Sequence, residues 1–247
     1  MKKLFLFFTV LTFGFTLTSC LDGGNSNYTT GAFAYITSDD VGTTYARTNV
    51  GKLMVSKEMG TTLYPGSYKG IFVSWDEDQG TKPLLIDGQS YTADNVILTG
   101  EMIDITKRSV IPKGETEIAK DNFSAFECQY LDEYGTFFND HWIVAYKYKI
   151  KKGQTAQVNF YYTSETTTES GNTVTTIDVE LNVSGEQTED TTVNETKYIA
   201  LNMAQLRGSL DFTKDNTIYV KFRYYAENNS EPVVTQHLYP MRKAQSN

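Results

Sequence analysis

The sequence predicts an all-β protein in two parts, an OB-like small barrel followed by an antiparallel β-sandwich, and three observations predict it. The chain is rich in Tyr and Phe (17 and 14 residues) and poor in Pro (5 residues), a composition that favours pleated, half-buried surfaces. Its first half breaks into short apolar runs punctuated by Gly turns, the pattern of closely spaced strands. Its second half carries longer runs with strict period-two alternation.

Taken in order, the chain opens on Lys2-Lys3, an apolar run Leu4–Leu17 and then Leu17-Thr18-Ser19-Cys20. Basic residues, a short apolar run and a small residue before the cut describe a secretory signal over residues 1–19. The run falls short of the roughly 20 residues that span a bilayer. Leu-Thr-Ser-Cys resembles a bacterial lipobox, which makes Cys20 the acylated N-terminus and the attachment to a membrane. Several acyl chains anchor firmly because each buried methylene contributes about 0.8 kcal/mol. The expected address is the cell envelope, at the outer membrane. Without residues 1–19 the chain has 228 residues, and its formal charge of -8 falls to -10 with the loss of two lysines. An acidic chain without a Lys/Arg stripe repels nucleic acid, so no nucleic-acid partner is expected. Cys128 is the one other cysteine, so no internal disulfide is available, and it reads as a buried core thiol.

Residues 20–30 are polar and Gly-rich and read as a flexible tether. The OB-like domain is expected over residues 31–110, with strand candidates at Ala32–Thr37, Thr43–Arg47, Gly51–Ser56, Thr61–Tyr64, Tyr68–Trp75, Pro83–Ile86, Ser90–Leu98 and Glu101–Thr106. Asp87-Gly88 and Thr99-Gly100 mark tight turns. No helix is legible in this half. Ile111–Lys120, with Pro112, Gly114 and alternating charge, reads as a linker.

The sandwich is expected over residues 121–240, with a tail at 241–247. His141–Ile150 places Trp142, Val144, Tyr146, Tyr148 and Ile150 on one face. Val158, Phe160 and Tyr162 align likewise, as do Ile177, Val179, Leu181 and Val183, and Ile218, Val220, Phe222 and Tyr224. Ser164–Thr173 reads as a polar hairpin tip, Gly185–Glu195 as an acidic loop, Tyr198–Leu201 as a strand and Asn202–Gly208 as the best helix, capped by Asn202. Val233–Tyr239 closes the chain.

Three stretches resemble the NigD-like family of envelope lipoproteins. They are Asp94–Leu98 with Met102–Lys107, Asn139–Ile143, and Tyr198–Met203 with Leu206. The resemblance implies an OB domain followed by a β domain, and a role in bacteriocin immunity. It brings no catalytic motif. The chain departs from the family pattern in having only Leu21-Asp22-Gly23-Gly24 directly after the cysteine.

Catalytic chemistry finds little support. His141 and His237 are the only histidines, and neither sits in a Gly-x-Ser-x-Gly elbow or among zinc-ligand spacings. Gly60–Gly66 lacks the Lys-Ser/Thr ending of a phosphate loop. No cofactor and no metal are expected. Asp76-Glu77-Asp78-Gln79-Gly80 alternates oxygen ligands before a Gly, which suits calcium, but the spacing fails for an EF-hand and a solvated turn is favoured. Asp132-Glu133 reads the same way. A hydrolase using carboxylates such as Asp76 or Asp78 is the less favoured alternative. Opposite the core faces lie Tyr161, Tyr219, Tyr225, Lys221 and Arg223, with Lys147 and Lys149. Exposed rings that stack on sugars, beside charged groups for hydroxyls, would make a glycan platform. The expected function is therefore a non-catalytic binding or shielding lipoprotein whose partner is a toxin, an envelope protein or a glycan.

Overall fold

The computed structural model describes residues 27–114, 119–129 and 140–243. Among them the chain divides into two compact units, the first ending at Thr106 and the second beginning at Lys107. The protein is all-β in both, and each unit is built separately.

The first unit holds β1 (Tyr28–Ser38), β2 (Thr44–Thr48), β3 (Leu53–Val55), α1 (Lys57–Thr62), β4 (Tyr68–Trp75), β5 (Thr81–Ile86), β6 (Gln89–Asn95), β7 (Ile97–Leu98) and the start of β8 (Ile103–Pro112). β1 pairs antiparallel with both β2 and β4, β2 with β3, and β3 runs parallel to β6. β7, which follows β6 after Val96, pairs antiparallel with β4. One face of β1 places Ala32, Ala34 and Ile36 in the core with Ala46, Met54, Met59, Ile71 and Val73. β4 contributes Ile71 and Val73 from alternate positions, with Trp75 packed against the same cluster. Asp87 and Gly88 take positive φ and join Ile86 to its register partner Gln89, the two-residue turn expected there.

Three details depart from the sequence expectation. β1 begins at Tyr28, inside the stretch read as tether. The strand expected at Thr61–Tyr64 is instead the end of α1 and the residues after it. Ser56 Oγ accepts from Met59 N at 3.0 Å, Met59 is fully buried, and the Thr61 and Thr62 hydroxyls donate to Glu58 O. A capped turn with one apolar anchor overrides the β preference of its Thr residues. β8 continues unbroken to Pro112, so Ile111 and Pro112 are strand residues, while 115–118 lie outside the described residues.

The second unit contains the rest of β8, β9 (Phe123–Gln129), β10 (His141–Lys152), β11 (Thr155–Tyr162), β12 (Thr167–Glu169), β13 (Asn172–Ser184), β14 (Glu189–Asn202), α2 (Ala204–Ser209), β15 (Thr217–Tyr224), β16 (Val233–Val234) and β17 (Tyr239–Arg242). β10 lies between β9 and β14, antiparallel to both. β11 pairs antiparallel with β13, and β15 with β17. The expected faces are the core: Trp142, Val144, Tyr146, Tyr148, Val158, Phe160, Tyr162, Ile177, Val179, Leu181, Ile218, Val220 and Phe222 share one cluster with Cys128. The N-cap of α2 is Met203, without a side-chain cap, and not Asn202 as expected; Asn202 Oδ1 accepts from Ala204 N at 2.9 Å just ahead of it.

The antiparallel expectation holds for most of these pairs, but β8 runs parallel to β11 and β13 runs parallel to β15. A single strand's alternation carries no information about its neighbour's direction. The acidic loop expected at Gly185–Glu195 is also corrected, since β14 starts at Glu189. Its polar end pairs with the basic end of β10, with Lys151 on Asp190 and Lys152 on Glu189, each at 2.6 Å. Cross-strand charge complementarity replaces apolar alternation there.

Candidate functional site

The residues expected to bind lie on the outer face of the sheet made by β11, β13 and β15. Period two puts Phe160, Ile177, Val179 and Phe222 into the core, so Tyr161, Asp178, Glu180, Lys221 and Arg223 face the other way. Register brings Tyr161, Asp178 and Arg223 into one row across the three strands.

This face is built around two buried carboxylates. Asp178 is 4% exposed and receives Arg223 Nε at 2.5 Å, Arg223 Nη2 at 2.9 Å and Lys113 Nζ at 2.6 Å. Burial alone would raise its pKa, but the two cations outweigh burial and hold the carboxyl below its ordinary range. Arg223 is held correspondingly above its own, chiefly by its hydrogen bonds to Asp178. Glu180 receives Ala119 N at 2.7 Å, Asn159 Nδ2 at 2.8 Å and Tyr161 Oη at 3.0 Å. Burial again pushes it up, and these three donors together bring it below the usual carboxylate range. Burial and the Glu180 charge raise the Tyr161 hydroxyl, which stays a donor. Lys221 pairs with Glu169 of β12.

Three of the five expected residues are thus engaged inside the protein, which alternation could not reveal. Tyr225 stands beyond the end of β15, its carbonyl accepting from Phe123 N at 2.9 Å. Tyr219 is different. It lines a cleft of about 260 Å³ with Gly171–Thr173 at the turn from β12 into β13, and Asp215–Thr217 at the entry to β15. The turn is set by positive φ at Ser170 and Gly171, and Glu169 pairs with Asn172 across it. Thr173 Oγ1 donates to Asp215 Oδ2 at 2.5 Å, which ties the two rims together. The side chains of Asn172, Asn216 and Tyr219 make no hydrogen bond among the described residues. Asn172, Thr173, Asp215 and Asn216 escape sequence reading because each lies in a polar turn, and only the fold brings those turns together.

The remaining candidates stand apart. Asp76 Oδ1 accepts from Gln79 N at 3.0 Å and Gln79 Oε1 from Asp76 N at 2.8 Å, a capping box over a single 3-10 turn, Glu77–Gln79. Cys128 is buried in the core, and burial pushes its thiol well up, which disfavours a reactive thiolate. His237 is exposed and stacks edge-on against Tyr239, while His141 opens β10. Asp132, Glu133 and Cys20 lie outside the described residues. Among those described, no group of three His, Cys, Asp or Glu side chains is placed to hold a metal ion, and no helix is long and apolar enough to cross a membrane.

No family model matches the sequence, and no curated protein matches it. Solved structures do. An uncharacterized protein from Parabacteroides merdae is similar over 87% of this chain and 99% of its own, with a TM-score of 0.63 and 12% identity. A NigD-like immunity protein from Bacteroides caccae is similar over 86% of this chain and 96% of its own, at a TM-score of 0.52 and 10% identity. A protein from Bacteroides fragilis assigned provisionally as a lipoprotein is similar over 89% of this chain and all of its own, at a TM-score of 0.53 and 11% identity. The chain therefore has the fold found in a NigD-like protein, as its three short stretches of resemblance imply. At such identities the likeness concerns fold alone.

Proposed function

We propose that the protein is a non-catalytic lipoprotein of the bacterial envelope, anchored at the outer membrane through Cys20 and acting by binding or shielding, with bacteriocin immunity as its role. The observation that carries this reading is the near full-length likeness to a NigD-like immunity protein, joined to the lipobox Leu17–Cys20. The likeness to a provisional lipoprotein supports the same address. Several side chains favour binding over turnover. A general acid at neutral pH needs a raised pKa; on the β11–β13–β15 face Asp178 and Glu180 are instead lowered, and the carboxyl that burial raises is Glu127 on β9. Asp76 is engaged in a cap, and the Cys128 thiol is buried. A glycan partner is the second reading, favoured by the Tyr219 cleft.

The test is expression in a bacteriocin-sensitive host, wild type beside Cys20→Ser. Incorporation of labelled palmitate and survival of challenge should both depend on Cys20. A wild-type protein that takes up no palmitate overturns the anchor. Hydrolysis of ester, peptide or glycoside substrates by the purified protein, abolished in Asp76→Asn or Asp78→Asn, overturns the non-catalytic role.

A further inference from the structure

We infer that the cleft between the β12–β13 turn and the entry to β15 binds one neutral sugar residue of a glycan, with Tyr219 as its stacking platform. The inference rests on the reading of this chain as an envelope binding protein and adds a ligand class to it.

Four observations select that class. The first is the contrast along β15. Arg223 and Lys221 are held by Asp178 and Glu169, and Tyr161 by Glu180, so the outer face answers its own charges. Tyr219 is on the same face and its hydroxyl has no such partner among the described residues. The second is size. About 260 Å³ falls just below the roughly 300–1,000 Å³ of sites for drug-sized ligands, which suits a single pyranose ring. The third is lining. Apart from Gly171 and the Tyr219 ring, every residue of the cleft is Asn, Thr or Asp. The two amides, unpaired among the described residues, offer four donors and two acceptor oxygens, the complement of a set of hydroxyls, while the ring covers the C–H face of a sugar.

The fourth is charge. The Asp215 carboxylate disfavours an anionic ligand. Asp215 is the one carboxylate lining the cleft, and one of its oxygens accepts from Thr173, so the cleft offers little charge to draw a hard cation from water. A neutral, hydroxyl-rich ligand remains. The tie between Thr173 and Asp215 also fixes the rims before a ligand arrives, so little ordering is required on binding.

The experiment uses full-length protein in a zwitterionic detergent, because glycosidic detergents would compete. A panel of neutral methyl glycosides is screened by saturation-transfer NMR, and the affinity for each responding glycoside is measured by titration. At least one glycoside should receive saturation at its ring protons. Tyr219→Ala should weaken that glycoside at least about fivefold, the loss expected for one aromatic contact, while Tyr219→Phe should retain most of the affinity. Tyr225→Ala should leave it unchanged. If Tyr219→Ala does not fold, Asn216→Ala decides by the same criterion. No transfer to any glycoside, or transfer indifferent to the cleft variants, overturns the inference. Bacteriocin protection that persists in that case leaves the proposed function standing and removes only the ligand. Failure of palmitate labelling removes the envelope reading without touching the glycoside result, which is read on purified protein.

Discussion

The two units fasten their entering segments by different chemistry. In the first, β1 starts at Tyr28, whose hydroxyl donates to Asp94 Oδ2 at 2.6 Å while its ring stacks on Trp75 at 5.6 Å. Lys52 sits 3.8 Å over the same ring and 3.4 Å from Asp94. Burial pushes the Tyr28 hydroxyl far above its ordinary value, so it donates at every accessible pH. In the second, the chain leaving β8 is fastened by charge: Lys113 to Asp178, and the Ala119 amide to Glu180. One latch sets a neutral donor and its aromatic ring on a partly exposed carboxylate shared with Lys52, the other rests on two buried carboxylates. The difference lies in how each should answer to acid, and it can be tested.

The largest break is in the apolar frames behind the latches, which also differ. The main cluster of the first unit sets small side chains such as Ala32, Ala34 and Ala46 around Ile36, Met54 and Ile71, with Phe33 and Tyr45 buried in the same unit. The second is aromatic, with Phe222 fully buried and its ring 5.4 Å from Phe126 and 5.7 Å from Tyr239. Phe222→Ala should cost about 3–5 kcal/mol and Ile36→Val only about 0.5–1.5 kcal/mol, read as changes in urea midpoint at constant slope. Equal costs would mean the aromatic cluster collapses around the cavity.

Next comes the charged latch. Asp178→Asn keeps the shape and removes the charge, leaving Arg223 and Lys113 to face each other across a buried site. The cost should be about 2–3 kcal/mol at neutral pH, below that of a fully buried pair because Arg223 is 44% exposed. The sign of the pH dependence follows from the lowered pKa values. A carboxylate whose folded value lies below its unfolded value stabilises fully above the unfolded value, about 4. That stabilisation is lost as pH falls from there through the folded value. Wild type should therefore lose stability on acidification below about pH 4, and Asp178→Asn should lose less over that window. A variant as acid-sensitive as wild type would place the acid response elsewhere.

What the sequence could disclose divides along the same line. Apolar alternation is a signal one strand carries by itself, so Trp142, Val144, Tyr146 and Tyr148 could be assigned to the core without knowing a neighbour. The long DVELN run of β13 shows the limit. Ile177, Val179 and Leu181 point inward as read, but Asp178 and Glu180, which look like solvent-facing positions, are buried by Lys113, Ala119, Tyr161 and Arg223 from three other segments. The polar half of β14 and the six-residue α1 were hidden for a related reason. Their support comes from ion pairs with β10 and from one cap with one buried Met, and neither makes a periodic pattern. Of the site, Tyr219, Lys221 and Arg223 were legible by face. That Lys221 and Arg223 are already engaged, and that Asn172 and Asn216 flank Tyr219, depends on pairing that no single stretch encodes.

The neutral latch should give a smaller effect than the charged one. Tyr28→Phe keeps the stack on Trp75 and removes one hydrogen bond, at a cost of about 1 kcal/mol. Because the donor does not titrate in the accessible range, that cost should be flat between pH 5 and 9 when measured by urea denaturation. A cost that grows as pH falls would mean that the acid response of this unit runs through Tyr28 after all.

The smallest effect is expected at Asp76, and it separates a cap from a ligand site. Its side chain closes a capping box over Glu77–Gln79, and the turn is held independently by Trp75 Nε1 donating to Gly80 O at 2.8 Å. Asp76→Ala should lower the thermal midpoint by about 2 °C, the loss of one cap in a chain of this size. Asp76→Asn keeps an oxygen that accepts from Gln79 N and should restore most of that loss. A calcium site would behave oppositely, because Asn lacks the charge that holds a divalent ion. Millimolar calcium would then raise the midpoint of wild type by mass action and leave Asp76→Asn unmoved. Equal midpoints for wild type with and without calcium, and an Asn variant close to wild type, identify the carboxylate as a cap. A calcium-dependent rise lost in Asp76→Asn would identify it as a ligand, and would make the first unit, not the second, the one whose polar surface is open to a partner.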